Sequence, residues 1–258
     1  MSAKQPHPAL HFSRARQHSI RLQGKNVAVW MAPDIDELLN DFIATSESDA
    51  GLKNDSQRCP FGAVLWPSAR ALWEWLAESD ARWEQVARAP QDATVRAIEL
   101  GSGVGFLSAL LGARTQWNLT ASDYEPAYED YLNANCILQK STHIPFVTLD
   151  WLQSPPKALR QQFDLVIACD VFYDNDHLKS VPRIACELLK PNGTLLLADP
   201  ERFRFTSALD ALAKKFQKVE IYSTSVENSR EDSHLRGVVN PFIEQTVVQI
   251  VHCQNPLS

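Results

Sequence analysis

Ala97-Ile98-Glu99-Leu100-Gly101-Ser102-Gly103-Val104-Gly105-Phe106 is the stretch that decides the architecture of this chain. Val95–Leu100 is short and mostly apolar, as a buried strand requires, and Phe106–Gly112 resumes apolar residues at helical spacing. The glycines between them let the backbone turn sharply and leave no Cβ between the loop and a ligand. The helix that follows aims its N-terminal amides at whatever lies over the loop.

Working outward, the same strand–helix unit recurs. Asn118–Ser122 reads as a second strand with a helix over Ala127–Gln139, and Phe146–Asp150 as a third strand. Phe163–Cys169 is a fourth, followed by a helix over His177–Leu189. Pro191-Asn192-Gly193 is a turn that delivers a fifth strand, Thr194–Ala198, and Ser207–Phe216 is a helix. Strands over Lys218–Ser223 and Glu244–His252 flank a loop at Ser225–Asn240 with no helix between them, so the last strand is expected to be antiparallel. The pattern predicts an α/β fold, a largely parallel sheet with helices on both faces.

Upstream, Pro67 opens an amphipathic helix carrying Ala71, Leu72, Trp75 and Leu76 at helical spacing. Residues 1–18 read as a mobile arm, and His18–Trp30 as a short hairpin around Gly24-Lys25-Asn26. Asp34–Ile43 reads as one or two helical turns, and Ala44–Pro60 as a polar connector. The expected organisation is an N-terminal extension over residues 1–60 and the α/β domain over residues 61–258.

The 258 residues are 45% hydrophobic and 22% charged, the balance of a folded chain. A net charge of −6 and a pI of about 5.6 oppose broad affinity for a phosphate backbone and suit a basic partner. Met1–Arg21 lacks the apolar centre of a secretion signal, and no apolar run approaches the roughly 20 residues that span a bilayer. A cytoplasmic chain without membrane or nucleic-acid partners is expected. Cys59, Cys136, Cys169, Cys186 and Cys253 are scattered and expected to be reduced thiols. Neither they nor the histidines show metal-ligand spacing, so no metal is expected. Trp73, Trp75 and Trp83 read as helix packing, and Glu227–Arg236 as a charged surface loop.

The glycine loop has the form E-x-G-x-G-x-G. A nicotinamide fingerprint wants its third glycine at position 106, where this chain has Phe. Asp123 ends the second strand in Thr120-Ala121-Ser122-Asp123-Tyr124-Glu125-Pro126, twenty residues after Gly103. A carboxylate there can accept the hydroxyls of a ribose, or cap the helix that begins near Glu125. The pair resembles the signature of the class I S-adenosylmethionine methyltransferases, whose Rossmann-like seven-stranded sheet has the strand pattern predicted above. Four more segments narrow the resemblance: Phe61-Gly62-Ala63-Val64-Leu65-Trp66-Pro67-Ser68, Leu149-Asp150-Trp151, Asp170-Val171-Phe172-Tyr173-Asp174 and Ala198-Asp199-Pro200-Glu201-Arg202. In this order the set resembles methyltransferase family 16, the seven-strand protein-lysine methyltransferases. Asp170–Asp174 and Leu197–Arg202 are most similar to one branch of it.

The resemblance implies S-adenosylmethionine as cofactor and a protein presenting a lysine as acceptor; a monomer is the expected working unit. It implies Trp66 at the cofactor's methionine end, Glu99, Gly101, Ser102 and Gly103 in the cofactor loop, and Asp123 on the ribose. Asp150 and Trp151 would border the adenine, and Cys169 would touch the cofactor by its backbone. Asp170 and Tyr173 match the family's acidic-x-x-aromatic motif at the acceptor site and are the expected catalytic pair. Val171-Phe172 stand where nucleic-acid amino-methyltransferases carry two prolines. Two other functions fit the same residues, a methyltransferase for a small amine and a cofactor-binding protein without catalysis. For Asp170–Tyr173 a strand-end cap followed by a core aromatic is the structural alternative.

Overall fold

Phe163–Cys169 is apolar at every position but Asp164, the composition of a strand covered on both faces, and in the computed structural model it is the central strand of the main sheet. The structure describes residues 10–48, 60–86, 94–201, 204–227 and 245–257. Strands β1 (Arg16–Leu22) and β2 (Lys25–Met31) form an antiparallel hairpin. The main sheet comprises β3 (Arg96–Leu100), β4 (Asn118–Asp123), β5 (Phe146–Thr148), β6 (Phe163–Cys169), β7 (Leu189–Asp199), β8 (Phe216–Glu227) and β9 (Gln245–Pro256). Their order is β5-β4-β3-β6-β7-β9-β8. The first five run parallel, and β9 lies antiparallel between β7 and β8, as the missing helix between the last two strands predicts.

Seven α-helices are present among the described residues: α1 (Ile35–Ser48), α2 (Pro67–Ala77), α3 (Asp80–Val86), α4 (Phe106–Arg114), α5 (Tyr128–Gln139), α6 (His177–Leu188) and α7 (Phe205–Ala213). They divide between the two faces of the sheet. On β6, Leu165 and Ile167 join a core with α2, α4 and α5, whereas Val166 and Ala168 join a second core with α6 and α7. The period of two along the strand creates both cores at once.

Local readings fail where distant contacts intervene. The expected mobile arm is not found over residues 10–18: Leu10 is buried and Phe12 packs edge-on against Tyr131. Residues 1–9 of that arm lie outside the described residues. The hairpin turn is Gln23-Gly24, one residue earlier than expected, and both residues have positive φ as a two-residue loop of this twist requires. Helix α1 runs to Ser48, beyond the expected turn or two; the rest of the connector, 49–59, and Cys59 with it, lies outside the described residues. The Pro191–Gly193 turn is an irregularity inside β7, because pairing to β6 resumes with Leu165 opposite Thr194. Strand β8 extends to Glu227, and the remainder of the predicted charged loop lies outside the described residues.

The tryptophans act as packing groups. Trp83 is edge-on to both Trp73 and Trp117, and Trp75 packs on Tyr222.

The hairpin is joined to the main sheet through α5. Asn135 is fully buried there; its side-chain oxygen accepts the Trp30 amide at 2.8 Å, and its amide group donates to the carbonyls of Trp30 and Val104. One side chain thus ties β2 to the glycine loop. Asn135→Ala strips partners from these backbone groups, and buried polar groups left unpaired cost about 1–3 kcal/mol each. The variant should lose roughly 2–3 kcal/mol of stability in urea denaturation; a loss within experimental error would show that the hairpin is not held this way.

Candidate active site

Strands β3, β4 and β6 end side by side, and the loops at their carboxyl ends form the crevice where open α/β sheets receive ligands. The loop after β3 turns through Gly101 at φ 66° and Gly103 at φ 49°, a region open to glycine at no steric cost. A Cβ on Gly103 would collide with the carbonyl of Gly62, whose Cα would lie at 3.0 Å from it, and a Cβ on Gly101 would meet the rim of Trp151 at 2.9 Å. The segment Phe61–Trp66 therefore lies directly over the glycine loop. Together they line a cleft with about 380 Å³ of empty space, bounded also by Glu99, Ser102, Cys169 and Asp170.

Asp123 closes β4 beside this loop. Its Oδ2 accepts the Gly103 amide at 2.9 Å, and its Oδ1 accepts the Glu125 amide at 3.3 Å. Helix α5 begins only at Tyr128 with no side-chain cap, so Asp123 shapes a turn and holds the glycine loop rather than capping that helix. Glu99, buried at 3% exposure, is held by the Ser108 hydroxyl of α4. Burial pushes its carboxyl up to about 7, and burial likewise pushes Asp123 up to about 6 against three backbone amides that favour the anion.

Asp170 follows β6 with φ 56°, a left-handed conformation that Asp adopts more readily than most residues. The turn directs its carboxylate to the start of α2, where Oδ2 accepts the Ser68 amide at 3.3 Å. The carboxylate thus sits at the positive end of a helix. The Cys169 thiol is held well above its ordinary range by burial and by the nearby carboxylates of Glu99, Asp170 and Asp199, so it stays protonated.

The predicted site residues fall into three positions. Trp66, Glu99, Gly101, Ser102, Gly103, Cys169 and Asp170 line one cleft. Asp123 touches that cleft through Gly103, and Trp151 packs beneath Gly101. Tyr173 and Asp150 lie outside the lining. Tyr173, at 40% exposure, is not the core aromatic of the structural alternative; Phe172 is. Tyr173 is edge-on to His177 and Phe61, and Phe61 in turn is edge-on to Trp66 of the cleft wall. Asp150 accepts the Leu152 amide and shapes the turn after β5. Sequence reasoning missed Gly62, whose role needs the approach of Gly103 to be seen, and His177, which is buried between Trp151 and Tyr173.

The inserted antiparallel β9 and the E-x-G-x-G-x-G loop make this a Rossmann-like fold of the class I methyltransferase type. Residues 45–218, more than half of the chain, match the family described as lysine methyltransferase, and the chain belongs to that family. Among curated relatives, the electron transfer flavoprotein beta subunit lysine methyltransferase of Mus musculus is 27% identical over 148 residues, 57% of this chain and 53% of that protein. The protein N-lysine methyltransferase METTL21A of Mus musculus is 28% identical over 199 residues, covering 70% and 85% of the two chains. The calmodulin-lysine N-methyltransferase of Arabidopsis thaliana is 26% identical over 170 residues, covering 63% and 52%. The chain spans about half the length of the first of these relatives.

The buried carboxyls set a dependence on pH. With both folded values raised, the native chain holds protons that the unfolded chain has released, so the contribution to stability is complete in acid and lost as pH rises through about 6 and about 7. Glu99→Gln removes the larger part, since solvent reaches Asp123. In urea titrations the variant should gain stability relative to wild type between pH 4.5 and pH 8, the range that brackets the ordinary value of 4.5 and the raised value of about 7. Parallel pH profiles would show that Glu99 does not titrate in this way.

Proposed function

We propose that this chain transfers the methyl group of S-adenosylmethionine to a lysine side chain of a protein. The observation that supports this most is one cleft shared by the glycine loop, Trp66 and Asp170. The residues fit the cofactor. The Ser102 hydroxyl is buried at the cleft with no protein partner, a donor available to a ligand carboxylate. Asp123 receives backbone amides from Gly103, Tyr124 and Glu125, and a carboxylate offers about four lone-pair positions, so one stays available to a ribose hydroxyl. Asp150 and Trp151 would border the adenine, and Cys169 would contribute its backbone.

The bound cofactor supplies a methyl group already activated on a sulfonium, so the protein's task is alignment of a neutral amine. A free lysine has a pKa of about 10.4 and must lose a proton before attack. Trp66 and the Tyr173–Phe61 pair strip water from the amine and favour its neutral form. Asp170 acts in the opposite sense on that equilibrium, so its part is to capture and orient the incoming ammonium. Asp170 lends the cleft a negative field that suits both a sulfonium and a lysine. The exposure of Tyr173 favours a protein surface over a small amine, which would call for a closed pocket.

The same reading takes residues 61–258 as the methyltransferase domain and residues 1–60 as its extension. It takes the chain to act as a monomer in the cytoplasm. Free thiols at Cys136, Cys169, Cys186 and Cys253 support a reducing compartment, and among the described residues no helix is long and apolar enough to cross a membrane.

Incubation with radiolabelled S-adenosylmethionine and whole-cell extract should label a protein band at lysine. Cofactor binding with label only on small amines, or with no transfer at all, would replace this function with one of the two alternatives. In calorimetry, Asp123→Ala should weaken cofactor affinity by about 1.5–3 kcal/mol, the range for hydrogen bonds to charged groups. Asp170→Asn keeps the turn and the acceptor for Ser68 but removes the charge. It should lower kcat/KM for the protein acceptor at least tenfold with S-adenosylhomocysteine affinity within a few-fold of wild type, and Tyr173→Phe should do the same more weakly. Cofactor affinity falling in step with activity would assign the motif to the cofactor pocket instead.

A further inference from the structure

His177 is the first residue of α6, is 2% exposed, and belongs to none of the groups assigned above. Its position is unusual in what it joins. One edge of the imidazole meets Trp151 with ring centroids 5.0 Å apart at 69°, and the ring meets Tyr173 at 4.6 Å and 88°. Its Nδ1 lies 3.0 Å from the carbonyl oxygen of Val171. A carbonyl only accepts, so Nδ1 carries a hydrogen and donates. The side chain therefore grips the segment between Asp170 and Tyr173 at two points, its backbone through Val171 and its aromatic end through Tyr173.

The contacts continue in both directions. Trp151 presents its ring edge to Gly101, close enough that a Cβ there would have no room. Tyr173 meets Phe61 at 6.3 Å, and Phe61 meets Trp66 at 6.0 Å, while the Trp66 indole nitrogen donates to the Phe61 carbonyl at 2.8 Å. Trp151, His177, Tyr173, Phe61 and Trp66 thus form a run of edge-to-face contacts from beneath the glycine loop to the wall of the cleft. Tilted pairs at these separations are favoured by the ring quadrupoles and resist sliding. His177 is the link with two functions in one side chain.

We propose that His177 is a positioning residue that sets Tyr173 relative to the cofactor loop, so that occupancy of the loop is felt at the acceptor aromatic. The proposal rests on the methyltransferase reading of this cleft. It assigns His177 no contact with either substrate. Its ring acts as a spacer, and its Nδ1–H fixes the backbone that carries Asp170 and Tyr173.

Two substitutions separate the parts. His177→Asn places an amide donor where Nδ1–H was and removes the ring, and His177→Phe keeps a ring and removes the donor. Full-length wild type and both variants are compared by thermal melting, by calorimetry with S-adenosylhomocysteine, by initial rates on the labelled protein acceptor, and by NMR of ring-labelled tyrosine with the Tyr173 signal assigned through Tyr173→Phe. His177→Asn should bind S-adenosylhomocysteine within threefold of wild type yet lose at least tenfold in kcat/KM for the acceptor, and His177→Phe, which keeps the spacer ring but not the donor, should fall between wild type and His177→Asn. In wild type, adding S-adenosylhomocysteine should shift the Tyr173 signal; in His177→Asn the shift should vanish.

Wild-type rates in His177→Asn, or losses in both variants that track melting temperature and cofactor affinity together, would overturn the proposal and leave His177 a core residue. A wild type that binds S-adenosylhomocysteine but methylates no protein sinks the lysine-transfer reading alone, since the NMR comparison still decides the coupling. A wild type that does not bind it removes the cofactor assignment and this proposal with it.

Discussion

Gly103 lies so close to the carbonyl of Gly62 that it has no room for a side chain, Gly62 is itself closed in by the Tyr128 ring and by Gly103, and that contact organises the whole ligand end of the molecule. Gly103 is held from the other side by the carboxylate of Asp123, through a hydrogen bond spanning the first two strands of the parallel sheet. With the loop fixed between them, the segment Phe61–Trp66 is laid across it, and α2 begins where Asp170 can accept its Ser68 amide. A strand end, a helix start and a glycine turn are brought within one cleft by backbone contacts. Bulk at any of these places would separate the glycine loop from Asp170 and the start of α2.

The charges in this cleft oppose folding. Glu99 and Asp123 are both pushed above their ordinary values by burial, and neither has an ion-pair partner among the described ion pairs. Buried carboxylates in structural roles are normally paired. Here backbone amides and one serine hydroxyl take the place of cations. That is the arrangement expected where a site must recognise a positively charged ligand and the rest of the fold can bear the cost.

Local signals made much of this legible in the sequence. Glu99 to Gly105 and Asp123 could be found because their placement depends on the residues beside them: a strand end, a tight turn, a helix start. Phe163–Cys169 was legible because continuous apolar composition reports burial on both faces. The residues that escaped are those whose role is set by a distant partner. Gly62 looks like an ordinary turn glycine until Gly103 is placed against it. Asn135 reads as a polar position on α5, and only the fold shows it bonded to Trp30 and Val104. His177 has no motif around it, and its significance lies in two rings from other segments. The packing of Leu10 and Phe12 was missed for the same reason, since Leu10 is buried and Phe12 partly buried against surfaces far along the sequence.

The first hairpin shares its core with the sheet, with Ile20, Val29 and Met31 packed in the same cluster as residues of α2, α4 and β6. Such a segment is a poor candidate for free exchange during divergence. A lineage that replaced it would also have to rebuild the face of α5 and the support under the glycine loop. A recombinant fragment beginning after β2 would be a different folding problem, with an open apolar face where the hairpin belongs.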